Sequence, residues 1–114
     1  MRKVIGSVIL LGIASVASYA EEKPRIWIMG FGIKSCGEYL EITQRGDDIS
    51  EMLFLSWAQG FLSKANEETV RQYPYNQVRM DIYAMKHELI NLCRVAPTVS
   101  FSLAVGELAR QASE

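Results

Sequence analysis

Apolar residues recur along most of this chain at steps of three and four, the repeat of an α-helix rather than a strand. Leu53, Trp57 and Phe61 are spaced by four, and Met52, Leu55, Ala58, Leu62 and Ala65 widen that face. So broad an apolar surface suits a helix covered by neighbours on more than one side. Asp48, with Glu51 three residues on, carries the signature of a helix start, so this central helix is expected over residues 49–68. A second stripe, Val78, Ile82, Met85, Leu89 and Leu92, predicts a helix over 77–95 with Asn76 as its cap. Pro74 separates the two, because proline cannot continue a helix. Phe101, Ala104, Val105 and Leu108 predict a last helix over 98–112, after a break at Ala96-Pro97-Thr98.

Before the central helix, Ser35-Cys36-Gly37-Glu38 reads as a capping box, in which serine and glutamate each satisfy the other's free backbone N–H. A short helix over 35–43 follows, with Tyr39 and Leu40 facing inward, and Arg45-Gly46-Asp47-Asp48 is a turn. Residues 21–34 form an arm. Pro24 forbids an early helix there, and residues 26–33 are expected to lie extended, packing Trp27 and Phe31 onto the helices. No strand has a partner, so the fold class is all-α: a small four-helix domain over 35–114.

Gly60 interrupts the central helix between Trp57 and Phe61. A mid-helix glycine costs about 1 kcal/mol relative to alanine. Close approach of another helix or ring is the expected compensation, ahead of a bend or a ligand, and Trp57, Gly60 and Phe61 are the helix-packing residues of this reading.

The chain begins with Met1-Arg2-Lys3, an apolar run over 4–14, and Ser18-Tyr19-Ala20 ahead of Glu21. That is the layout of a secretory signal peptide over 1–20, cleaved after Ala20. Residues 4–20 include two glycines and three serines and fall short of the roughly 20 apolar residues a bilayer span needs. No membrane association is expected after cleavage, and the periplasm is the expected compartment. Arg2 and Lys3 would leave with the leader, so of the 12 basic residues ten remain against 13 acidic ones, a net charge of −3. Such a surface does not suit nucleic acid, which calls for a basic face.

Cys36 and Cys93 are the two cysteines, and an even count in an exported chain reads as one disulfide. With 56 residues between them, the bond is worth roughly 4 kcal/mol on the chain-entropy estimate. Two cysteines and one distant histidine do not make a four-ligand zinc site, so neither a metal nor another cofactor is expected. His87 lies about half a turn from the Val78–Leu92 stripe and is expected to be solvated, without the nucleophile and orienting partner a general base needs. Glu67, Glu68 and Arg71 read as a solvated helix end. No catalytic residue is assigned, and the chain is expected not to be an enzyme. Tyr73-Pro74-Tyr75 is the one aromatic cluster expected to be exposed, and it is the candidate partner-binding loop.

Taken together, Cys36-Gly37-Glu38-Tyr39-Leu40, then Trp57-Ala58-Gln59-Gly60-Phe61-Leu62-Ser63 with Asn66, then Leu92-Cys93-Arg94 with Pro97, resemble small exported helical bacterial proteins over about residues 35–110. One branch is the HdeA/HdeB kind of periplasmic acid-stress chaperone, with one disulfide in a small helical domain. The other is the Tai-type periplasmic immunity protein, which neutralises a peptidoglycan amidase; its aromatic-X-X-Gly-aromatic-X-Ser helix is the nearer echo of residues 57–63. The chain departs from both: the immunity group usually carries further cysteines, and the chaperones have lysine-rich tails, whereas this chain ends with Arg110 and Glu114. The resemblance implies binding of protein, either unfolded clients or one effector, and supplies no catalytic residue. A homodimer is one way to cover this much apolar helix surface.

Overall fold

A computed structural model describes residues 24–112. The expected signal peptide lies outside the described residues. Four helices form the domain: α1 (Cys36–Gln44), α2 (Asp48–Val70), α3 (Ile82–Val95) and α4 (Phe101–Ala112), preceded by a single 3₁₀ turn, Gly30–Ile33. The all-α class with one Cys36–Cys93 disulfide is therefore the fold of this chain.

The start of α1 has the expected capping box. The Glu38 backbone N–H donates to Ser35 Oγ at 3.1 Å, and the Ser35 N–H donates to Glu38 Oε2 at 2.9 Å. The end of α1 follows from Gly46, whose φ of +74° is open to glycine at no steric cost. There the Gly46 N–H bonds to the Thr43 carbonyl and the Asp47 N–H to the Ile42 carbonyl, closing the helix as a Schellman motif. Asp47 then caps α2, accepting from the Ser50 backbone N–H at 3.1 Å and from Ser50 Oγ at 2.8 Å. The cap is thus Asp47 rather than Asp48, because the Schellman turn leaves Asp47 outside both helices with its carboxylate against the Ser50 N–H.

Two boundaries differ more. α3 begins at Ile82, not Gln77, because Asp81 caps it by accepting the Ala84 N–H at 2.8 Å. Asn76 is not its cap. Val78 is nevertheless buried, since Asn66 on α2 holds its backbone from both sides: Asn66 Nδ2 donates to the Val78 carbonyl at 2.9 Å, and Oδ1 accepts the Val78 N–H at 2.8 Å. A side-chain amide thus satisfies both backbone groups of one residue outside any helix. α4 begins at Phe101 instead of Thr98, because Ser100 Oγ accepts the Leu103 N–H at 3.3 Å.

The core is aromatic at its centre. Phe54 lies 4.9 Å from Phe31, 5.2 Å from Tyr39 and 4.9 Å from Phe101, measured between ring centroids. Leu55, Ala58, Leu62, Met85, Leu89, Val105 and Leu108 surround it. The inward face of α2 is therefore Phe54–Leu55–Ala58–Leu62, about a third of a turn from the expected stripe. Leu53 faces out and is 47 % exposed, while Trp57 and Phe61 sit half-buried on the flank. Both cysteines are fully buried with Cα atoms 4.9 Å apart. Beside them the Cys36 N–H donates to the Val99 carbonyl and the Gly37 N–H to the Pro97 carbonyl, each at 2.8 Å. The start of α1 is thus tied covalently to the end of α3 and by backbone bonds to the α3–α4 link.

Candidate protein-binding surface

The arm reaches α2 through one ring. The 3₁₀ turn lays Gly30 and Gly32 against the Trp57 indole, whose Nε1–H donates to the Met29 carbonyl at 2.7 Å. A Cβ on Gly32 would stand 2.1 Å from the indole, and Gly30 takes φ +76°. Backbone and ring therefore lie closer here than any other residue would allow. Phe31 passes inward to Phe54, while its neighbour Lys34 holds its ammonium 5.4 Å from the Phe31 ring centroid. Trp57 in turn packs on Phe61 and Phe101 at 5.5 and 6.2 Å.

Anchoring the arm by Trp57 leaves its other large side chains outside. Trp27 is 89 % exposed and does not pack onto the helices, a correction to the expected role of the arm; Phe31 alone of that pair turns inward. Ile26, Met29 and Ile33 are exposed as well. Between the arm and α2 runs an open groove of about 680 Å³, lined by Ile26, Trp57, Phe61 and Ala65, with Lys64 and Glu68 at its end. Gly60 lies in this groove wall. Among the described residues nothing comes within 4 Å of where its Cβ would be, so the close approach expected at Gly60 is not made within the domain. The glycines that do meet a ring are Gly30 and Gly32.

Tyr73, Pro74 and Tyr75 lie in the irregular link between α2 and α3, as the sequence implies. The Asn76 N–H bonds back to the Tyr73 carbonyl at 3.1 Å, and Gln77 Nε2 to the Pro74 carbonyl at 3.3 Å, which turns the chain there. Tyr75 is 95 % exposed. These residues do not line the groove, so the structure presents two separate exposed apolar regions.

Charged groups are placed at helix ends and between helices. Lys86 on α3 donates to Glu51 Oε1 on α2 at 2.9 Å. Burial, helped by the nearby Glu51 carboxylate, pushes the Tyr39 hydroxyl above its ordinary range, so it stays neutral. The Ser50 N–H and hydroxyl hold the Asp47 carboxyl below its ordinary value, and Arg110 does the same for Glu107. His87 is exposed, with its ring nitrogen 3.2 Å from Asn91 Nδ2. Among the described residues no group of His, Cys, Asp or Glu is arranged to hold a metal, and no helix is long and apolar enough to cross a membrane. The buried disulfide fits an oxidising, exported environment. No family model, curated protein or solved structure matches the chain.

Proposed function

We propose that this is a non-catalytic periplasmic protein-binding domain that acts as an acid-stress chaperone of the HdeA/HdeB kind, reached through a signal peptide over residues 1–20. The observation that carries the reading is the exposed apolar side of the arm and α2, Ile26, Trp27, Met29 and the Phe61 groove, on a domain stapled by the Cys36–Cys93 disulfide. Large contiguous apolar surface on a small soluble domain marks a site of protein contact.

Acid would enlarge that surface. Asp47 and Glu107 have lowered pKa values in the folded chain, so their stabilising contribution is present above the ordinary carboxylate range and is lost as pH falls through the folded values. Protonation of Asp47 weakens the cap of α2, since the neutral carboxyl accepts the Ser50 N–H less strongly. At the same time the 13 carboxylates lose their charge and the chain becomes strongly positive. The Cys36–Cys93 bond keeps α1 and α3 together while packing loosens, so the chain can refold on neutralisation.

The test follows circular dichroism and ANS fluorescence of the oxidised protein from pH 7 to pH 2, with aggregation of an acid-labile client alongside. Reversible loosening, ANS binding and client protection are expected. A protein that stays tightly folded at pH 2 and leaves the client to aggregate is not this kind of chaperone.

The exposed Tyr73-Pro74-Tyr75 turn favours a second reading, an immunity protein of the Tai type that inhibits a secreted peptidoglycan amidase through a rigid surface. Under that reading the fold is unchanged by acid, and pull-down recovers a single enzyme whose binding is lost in Tyr75→Ala.

A further inference from the structure

The arm has an unusual composition for a segment that faces solvent. Residues 24–34 contain no carboxylate, amide or hydroxyl side chain; their polar groups are Arg25, Lys34 and the Trp27 indole. With Lys23 the stretch carries three positive charges, in a chain whose net charge is −3 once the expected leader is gone. Ile26, Trp27, Met29 and Ile33 are exposed between Arg25 and Lys34. Elsewhere Arg45, Lys64, Lys86 and Arg110 pair with carboxylates. Neither Arg25 nor Lys34 forms an ion pair among the described residues, and the Lys34 ammonium meets only the Phe31 ring. The segment is also held in place. The Trp57 N–H grips the Met29 carbonyl and Phe31 packs on Phe54, so part of the ordering cost of docking is already met.

We propose that the arm docks on an anionic lipid surface. Ile26, Trp27 and Met29 enter the boundary between headgroups and acyl chains, while Arg25 and Lys34, with Lys23, meet the lipid phosphates. Exposed apolar patches mark contact with protein or with membrane, and the chemistry of the arm separates the two. The rim of a protein interface is polar and rich in direct hydrogen bonds. Here the side chains supply N–H donors and positive charge alone, the complement of a layer of phosphates. Tryptophan favours that depth because one part of its ring is apolar and its N–H stays wet. Attachment in this layer grows with the apolar area buried and with attraction between cations and anionic lipid. The arm lies on the bilayer and does not cross it, because backbone outside a helix or closed barrel cannot satisfy its N–H and C=O groups in hydrocarbon. Pro24 stands four residues beyond the expected cleavage point, which sets the arm beside the membrane face as the leader is released. This departs from the sequence expectation of no membrane association after cleavage.

The inference goes beyond the protein-binding reading and does not rest on it, since it concerns the arm at neutral pH. Its test is cosedimentation of the oxidised exported chain at pH 7 with vesicles of phosphatidylglycerol or of phosphatidylcholine. Binding to phosphatidylglycerol is expected, at least about tenfold tighter than to phosphatidylcholine and weakened by salt, with a blue shift of tryptophan emission. Trp27→Ala should reduce binding by about tenfold and abolish the blue shift, because Trp57 is already packed in the free protein. Arg25→Glu with Lys34→Glu should remove the preference for phosphatidylglycerol. All these side chains are exposed, so the thermal melt of each variant should match the parent. A chain that stays in the supernatant with both vesicles overturns the proposal and assigns the arm to a protein partner. Equal binding to the two lipids overturns it as well. So does binding that Trp27→Ala leaves unweakened, or a lipid preference that survives the double charge reversal.

Discussion

Two neighbouring regions of this domain hold their backbones in opposite ways. Where α1 meets α3 and the α3–α4 link, Cys36 and Cys93 are bonded and buried, and Ser35, Cys36 and Gly37 give their N–H groups to Glu38, Val99 and Pro97. Where the arm meets α2, one indole N–H and two glycines do the holding, and the neighbouring apolar side chains point into solvent. The first region buries its apolar groups in the core; the second leaves them available. A protein that must bind other chains without losing its own fold needs both kinds of region. The comparison says which substitutions should cost stability and which should cost binding.

The largest effect should come from the staple. Replacing both cysteines by serine, or reducing the bond, should lower unfolding stability by roughly 4 kcal/mol, read as the shift in a urea or guanidinium midpoint. That is a large part of the roughly 5–15 kcal/mol a domain of this kind possesses. Because both sulfurs are fully buried, thiol reductants should act slowly on the folded chain and quickly once denaturant opens it. A reduced protein with unchanged stability would mean that backbone bonds to the α3–α4 link alone hold this region, and the contrast between the two regions would collapse.

The arm region should be weaker and more specific. Gly32→Ala puts a methyl group where the Trp57 ring already lies, and overpacking of this kind costs about 1–3 kcal/mol. The indole then loses its bond to the Met29 carbonyl and the arm lifts, which tryptophan emission and proteolysis of residues 24–34 would report. Trp27→Ala serves as the matched control: an exposed side chain with nothing to lose should change stability by less than about 0.5 kcal/mol. If Trp27→Ala costs as much as Gly32→Ala, the arm is packed through both rings.

What the sequence could announce is divided along the same line. The capping box at Ser35 and Glu38, the turn at Gly46 and the Cys36–Cys93 pair are local or arithmetic signals, and each was legible. The inward face of α2 was not, because Met52-Leu53-Phe54-Leu55 is apolar through a full turn and periodicity cannot choose among four neighbours; the spacing of Leu53, Trp57 and Phe61 points to Leu53, whereas Phe54 is the buried one. The α3 start differs from the expected one for a related reason. Val78 continues the helical spacing by coincidence, and it is buried through the Asn66 clamp, a contact between residues 12 apart that no repeat encodes. Gly30 and Gly32 carry no local signal, and their purpose appears only once Trp57 is in place. The candidate binding surface was half legible: Tyr73-Pro74-Tyr75 announced its exposure, whereas the outward turn of Ile26 and Trp27 follows from the arm being anchored elsewhere.

A smaller effect than that of Gly32→Ala joins the two regions to pH. Asp47 closes α1 through its backbone N–H and opens α2 through its carboxylate, so it stands at the corner between the stapled helix and the exposed one. Its folded pKa is lowered, first by the Ser50 backbone bond and then by the Ser50 hydroxyl. The carboxylate therefore stabilises the fold fully above its unfolded value, near 4, and the contribution disappears as pH falls through the lower folded value. Asp47→Ala should lower the melting temperature at neutral pH by less than Gly32→Ala does. The gap between variant and parent should narrow progressively below about pH 4, because protonation weakens the parent's cap. Asp47→Asn, which keeps a capping oxygen without the charge, should retain most of the neutral stability and show a flatter acid limb. A gap between Asp47→Ala and the parent that stays constant down to pH 2 would show that the corner is held by packing rather than by the cap. The acid sensitivity of α2 would then have to come from the net charge alone.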